Sequence, residues 1–129
     1  IAGVLSTPVK SRIRITDFEV TTRIKATPKA RVVLEMDGET IESTASGDGG
    51  YDAFVKALRK SLKKFGLSMP RLLDYEERIP PGGKTDALVE TTIRWAAPGK
   101  TLVTTGIDSD HLISAVLATE KMLNLILPE

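Results

Sequence analysis

From Arg12 to Lys25, Ile13, Ile15, Phe18, Val20 and Ile24 recur among charged and hydroxylated residues. This period-two pattern predicts a strand with one buried face, and its slip near Asp17 predicts a bulge. Thr27-Pro28 interrupts the run, and Ala30 to Met36 then resumes it with Val32, Val33 and Leu34. Asp37-Gly38 is a hairpin turn, because glycine tolerates positive φ, so Glu39 to Ala45 forms the third strand. The period changes after Gly47-Asp48-Gly49-Gly50. Phe54, Val55, Leu58, Leu62 and Phe65 fall three and four apart, with Lys56, Arg59, Lys60, Lys63 and Lys64 filling the other face. That is an amphipathic helix, stopped by Gly66 and barred from continuing by Pro70.

The second half repeats the plan. Strands are predicted over Leu72–Ile79, over Asp86–Ala96 after the Pro80-Pro81-Gly82-Gly83 break, and over Lys100–Thr105 after Pro98-Gly99. A second helix follows, with a main stripe of Leu112, Val116, Thr119, Leu123 and Ile126 reinforced by Ile113, Ala115, Met122 and Leu127. The formula is βββα twice. Each unit has one apolar sheet face and one helix able to cover it, so the expected fold is α+β: two pseudo-symmetric βββα units in a two-layer domain. The units span about 12–66 and 72–128 of a single domain over 12–129, and residues 1–11 read as a linker. The second helix is apolar around more of its circumference than the first, which predicts a second copy against it and hence a homodimer.

Composition narrows the chemistry. A chain of 129 residues makes one ordinary domain able to bury a real core. With no cysteine it can form neither disulfide nor thiolate site, which suits a reducing compartment. Eighteen basic against 17 acidic residues give a net charge of +1, so charge alone recruits no nucleic acid. Mean hydropathy is −0.05, and no apolar run is long enough for a membrane span. Because the chain begins with Ile1 and lacks a basic leader with an apolar core, it reads as a piece of something longer.

Candidate chemistry is sparse. Asp108, Asp110 and the only histidine, His111, carry metal-ligand atoms, but at a helix start Asp108 or Ser109 serves better as a cap. No metal site is expected, and neither Ser109 nor Ser114 has a basic partner for nucleophilic catalysis. The Gly47–Gly50 loop contains no GxxxxGK[ST] or GxGxxG, and Asp48 would repel a phosphate, so a conformational role for Gly47, Asp48, Gly49 and Gly50 outweighs nucleotide binding. The basic face at 56–64 is the alternative from a different class, a phosphate-contacting nucleic-acid module, but no stacking aromatics accompany it. Leu72, Tyr75, Ile79, Leu88 and Val89, read with Thr85, Asp86, Ser109 and Asp110, suggest a small pocket. Its apolar members would enclose a branched side chain, while a helix N-terminus meets a carboxylate and an acidic group meets an ammonium.

Together TASGDGGYDAFVKAL (Thr44–Leu58), LLDYEERI with TDALVETTIRW (Leu72–Trp95) and TTGIDSDHLISAVLATEKMLN (Thr104–Asn124) resemble the C-terminal regulatory domain of α-isopropylmalate and citramalate synthases. The resemblance covers about Arg12 to Leu127. It implies a cytoplasmic homodimer of two βββα units that senses a branched-chain amino acid, without cofactor or catalytic residues of its own. It also implies a metal-dependent TIM-barrel acyltransferase domain in the same full-length chain, condensing acetyl-CoA with an α-keto acid. The LDYEERI block looks more like the citramalate branch, which condenses pyruvate and implies isoleucine as effector; the isopropylmalate branch implies leucine. By the same resemblance, effector contacts fall on Leu72, Tyr75, Ile79, Thr85, Asp86, Val89, Asp108, Ser109 and Asp110. Two departures stand out. Gly50-Tyr51 stands where the family's GxGPVDA form has Pro-Val, and Ser114-Ala115 with Ala118–Asn124 departs from the usual last-helix sequence.

Overall fold

Strands β1 (Ile13–Thr21), β2 (Lys29–Met36) and β3 (Glu39–Ser46) precede helix α1 (Gly50–Lys64). Strands β4 (Arg71–Arg78), β5 (Val89–Ala97) and β6 (Lys100–Asp108) precede helix α2 (His111–Ile126). The computed structural model describes residues 12–80 and 88–127. The linker expected over 1–11, together with Thr85 and Asp86, lies outside the described residues. Each half is an antiparallel sheet in the order β1-β2-β3 or β4-β5-β6, covered by the helix that follows it. This is the two-layer α+β domain of two βββα units that the hydrophobic periods predict.

The turns obey local backbone chemistry. Asp37 and Gly38 both have positive φ, 50° and 83°, as a tight β2–β3 hairpin requires. Gly66 ends α1 at φ 77°, a left-handed position where a side chain would be strained. Strand β1 ends earlier than its pattern predicts. It stops at Thr21, and Ile24 projects into solvent at 92% exposure, because Lys25 turns the chain at φ 66°. Conversely β6 runs three residues beyond its expected end, since Gly106 and Ile107 still pair with Thr91 and Glu90.

Both halves contribute to one core. Ile13, Val32, Leu34, Phe54, Leu58 and Leu62 from the first meet Ile93, Trp95, Val116, Met122 and Leu123 from the second. Helix α2 buries Val116, Thr119 and Leu123 of the expected stripe together with Ala115 and Met122, half-buries Leu112 and Ile126, and adds Ser114 and Ala118 to the inward face. Ile113, expected to reinforce that stripe, is exposed, as are Leu117 and Leu125. Buried polar groups are matched: Thr91 with Ser114 at 2.6 Å, Ser61 with Ser43 at 2.7 Å, and Trp95 Nε1 donating to Thr104 Oγ1 at 2.9 Å. No buried side-chain nitrogen or oxygen among the described residues lacks a partner, so these pairs cost the core little.

The repeat extends to side-chain ties. Lys60 and Lys121 occupy the same helical offset from their N-caps, Gly49 and Asp110, and donate to the carbonyls of edge-strand residues Thr44 and Thr105. Each sheet also has a register slip in its first strand, between Ile15 and Asp17 in β1 and between Leu72 and Asp74 in β4. The first bulge is the one that the slip near Asp17 predicts.

Candidate functional site

The N-terminal ends of the two helices open onto one concavity of about 810 Å³ between the units. Val20 and Thr22 wall it from the end of β1, Gly50 and Tyr51 from α1, Leu72, Tyr75 and Glu77 from β4, and His111 and Leu112 from α2. Alternation explains the β4 side. Leu72, Tyr75 and Glu77 pair with Trp95, Ile93 and Thr91, whose side chains are the buried ones of β5. The bulge at Leu73 keeps all three on that face.

An aromatic series crosses the site. Phe18 meets Phe54 edge-on at 5.7 Å, Phe54 stacks on Tyr51 at 5.8 Å, and Tyr51 lies 5.3 Å from Tyr75, linking β1, α1 and β4. The Tyr51 hydroxyl is 2.6 Å from that of the fully buried Thr119. Burial pushes the Tyr51 phenol up to about 12, against a lowering by its hydroxyl partner. Tyr75 is also raised, by burial first and then by the neighbouring Glu77 carboxylate, to which its hydroxyl donates at 3.0 Å. Glu77 lies 3.5 Å from His111 Nδ1 on its other side. The result is an apolar and aromatic cleft with one carboxylate at its mouth.

The helix ends differ. Asp110 caps α2, accepting from the backbone N–H groups of Leu112 at 2.8 Å and Ile113 at 3.0 Å, and Asp108 in turn accepts from Asp110 N–H at 2.8 Å. Helix α1 begins at Gly49 with no side-chain cap, although Asp52 accepts from Asp48 N–H at 2.8 Å. That hydrogen bond, then Lys56, holds the Asp52 carboxyl below its ordinary range. A Cβ on Gly47 would collide with the Ala53 backbone nitrogen and lie 2.6 Å from Asp52 Oδ2, whereas Gly49 faces open space.

Of the expected effector contacts, the structure brings Leu72 and Tyr75 into the cleft. Asp110, not the expected Asp108 or Ser109, caps α2; Asp108 accepts from the Asp110 N–H, Ser109 is exposed, Val89 pairs with Asp108 without lining the cleft, and Ile79 is 64% exposed. Val20, Thr22, Tyr51, Glu77 and Leu112 were not among the expected contacts. The signal for Tyr51 was present in its departure from the Pro-Val form. No group of three His, Asp or Glu side chains among the described residues is placed to hold a metal ion. No described helix is long and apolar enough to cross a membrane.

A model of the LeuA allosteric (dimerisation) domain matches residues 1–127. The chain is 32% identical over 117 residues to a putative (R)-citramalate synthase of Methanoculleus marisnigri, covering 91% of this chain and 23% of that protein. It is 31% identical over 116 residues to a probable 2-isopropylmalate synthase of Methanopyrus kandleri, covering 89% and 23%. It is 33% identical over 113 residues to the 2-isopropylmalate synthase of Aquifex aeolicus, covering 87% and 21%. The chain thus spans under a quarter of the length of these relatives, and both kinds of synthase resemble it equally well. A match along nearly its whole length, on a fold of two βββα units, places the chain in the LeuA allosteric (dimerisation) domain family.

Proposed function

We propose that this domain is the homodimeric feedback sensor of a citramalate synthase. In this reading it binds isoleucine in the cleft between the helix N-termini and restrains condensation of acetyl-CoA with pyruvate by a catalytic TIM-barrel domain elsewhere in the full-length chain. The observation that carries it is the pairing of apolar walls with opposite electrostatic ends in one concavity. The uncapped first turn of α1 offers N–H groups and a positive dipole end to a carboxylate. Glu77 offers a partner to an ammonium, and Val20, Leu72 and Leu112 with the two tyrosine rings surround an aliphatic side chain. Asp108 and Asp110 act one step back by holding the start of α2, which carries His111 and Leu112. Gly49 and Gly50 supply backbone freedom where the effector's carboxylate meets α1. Another concavity, about 560 Å³ near the helix C-termini, is walled mainly by Ile13, Leu62, Leu67, Met69, Leu123 and Ile126. It offers no carboxylate for an ammonium.

A second reading, leucine sensing by a 2-isopropylmalate synthase, is favoured by the equal similarity to that branch. One displaced methyl is worth about 1–3 kcal/mol in such a pocket. Isothermal titration of the purified chain with isoleucine, leucine and valine separates the two. Saturation near one ligand per chain with isoleucine tightest supports the citramalate reading. Preference for leucine transfers the assignment to the other branch, and absence of binding by all three removes the cleft as an autonomous effector site.

A further inference from the structure

The two halves differ at one pair of equivalent junctions. On the first side, α2 packs on β1 and its side chains finish the edge of that strand. Asn124 Oδ1 accepts from Arg12 N–H at 2.8 Å and Ile13 N–H at 3.0 Å, its Nδ2 donates to the Ile13 carbonyl at 2.9 Å, and Glu120 accepts from Ile15 N–H at 2.8 Å. On the second side the same offsets along α1 from its N-cap carry Arg59 and Lys63. Neither can accept a hydrogen bond. Counting back from the two bulges, Ile15 corresponds to Leu72 and Ile13 to Pro70. Proline needs no acceptor, which removes one of the three demands; Leu72 and Met69, the equivalent of Arg12, retain their N–H groups.

The junction between α1 and β4 is correspondingly open. Arg59, Lys63 and Arg71 surround a concavity of about 550 Å³, floored by Leu67, Ser68 and Met69. None of the three cations has an ion pair or side-chain hydrogen bond among the described residues, although Arg59 acts at a distance on Asp52, whereas Arg14, Arg31 and Arg78 on β1, β2 and β4 are each paired with a carboxylate. The helix C-terminus accounts for favouring Lys63 there, but not for Arg59 a turn earlier or for Arg71 on a strand.

We propose that the α1–β4 slot is an anion site that takes a carboxylate group in the place equivalent to the Glu120 carboxylate of the other half. Arg59, Lys63 and Arg71 supply its charge, and the β4 backbone near Leu72 supplies its donor. The carboxylate can belong to a free polycarboxylate or to an acidic stretch of polypeptide. The test is a titration of the ¹⁵N-labelled chain with citrate and, separately, with a hexaglutamate peptide, each at constant ionic strength. Saturable amide shifts confined to Leu67–Leu72 are expected with at least one probe, and the probe that gives them identifies the source. Removing two exposed cations in the Arg59→Gln/Lys63→Gln variant weakens that binding about tenfold. The Arg59→Glu/Lys63→Asn variant copies the closed side; it abolishes binding and slows exchange of the Leu72 amide proton. Shifts that sodium chloride reproduces, or that persist unchanged in either folded variant, overturn the site. Leu72 borders both sites, but Arg59 and Lys63 do not line the cleft at the helix N-termini, so both variants are expected to keep isoleucine binding while losing the anion.

Discussion

Gly106 lets α2 lie directly on β6: a Cβ there would overlap the Ser114 carbonyl and come within 2.8 Å of the Ala118 nitrogen. The obstacles are backbone atoms of a packed helix, so they cannot swing aside. Gly106→Ala is therefore expected to destabilise the domain by about 2 kcal/mol or more, lowering Tm by roughly 8 °C in a thermal melt. Gly49→Ala, with open space and an extended backbone, serves as the control and leaves Tm within about 2 °C. Tyr51 gives a second prediction at this scale. Its phenol, ordinarily near 10, is raised to about 12 because burial disfavours the phenolate. The folded state therefore holds its proton more tightly than the unfolded state. Its stability is intact below pH 10 and falls as pH rises from there through about 12. Tm measured against pH, with phenolate absorbance followed in parallel, is expected to drop in that window. Tyr51→Phe flattens part of the drop while forfeiting the hydrogen bond to Thr119.

At the level of elements, what the sequence made legible was whatever depends on short-range pattern. Both hairpin turns, the β1 bulge and both helices follow from period and from glycine placement, because these express backbone geometry within a few residues. The site was only partly legible. Tyr75 and Leu72 stood out in an alternating run, but Val20 and Leu112 look like ordinary strand and helix residues, and only the packing of one unit against the other brings them together. The resemblance put Asp108 and Asp110 at the ligand, but Asp110 is committed to capping α2 and Asp108 accepts from the Asp110 N–H. The Asn124 clasp was equally invisible, since its partners at Arg12 and Ile13 lie more than a hundred residues away. Asn124→Ala leaves two backbone N–H groups without their acceptor at a half-buried edge, at a cost of about 1–3 kcal/mol. Hydrogen exchange is expected to show the loss chiefly at β1, with β4 and β5 protected as before; uniform loss of protection would mean the clasp is not local.

For the whole molecule, the surface left over by packing matters most. Val103 and Ile107 on β6 are 55% and 48% exposed, and Ile113, Leu117 and Leu125 are exposed on the adjoining α2. Apolar side chains concentrated on one helix and its neighbouring edge strand suit burial by a second copy. Sedimentation of the wild-type chain is expected to show a dimer, and Ile113→Glu/Leu117→Glu a folded monomer, since neither side chain belongs to the core. Ile113 follows Leu112, which walls the cleft from the first turn of α2, so the surface and the cleft share one short segment. An effector that binds more tightly when that segment is held in the dimer must, by linkage, strengthen the dimer by the same factor for each chain it occupies. At an isoleucine concentration about a hundredfold above its Kd, the folded, associated state gains about 2.7 kcal/mol. The dimer dissociation constant, measured with and without saturating isoleucine, is therefore expected to fall by the square of the affinity ratio between dimer and Ile113→Glu/Leu117→Glu monomer, one factor for each chain. If isoleucine binds both forms equally, association cannot carry its signal. Under the proposed feedback role, control would then rest on motion within one copy at the Gly49–Gly50 entry to α1, and Gly49→Ala/Gly50→Ala in a full-length synthase carrying this domain should weaken inhibition without abolishing binding.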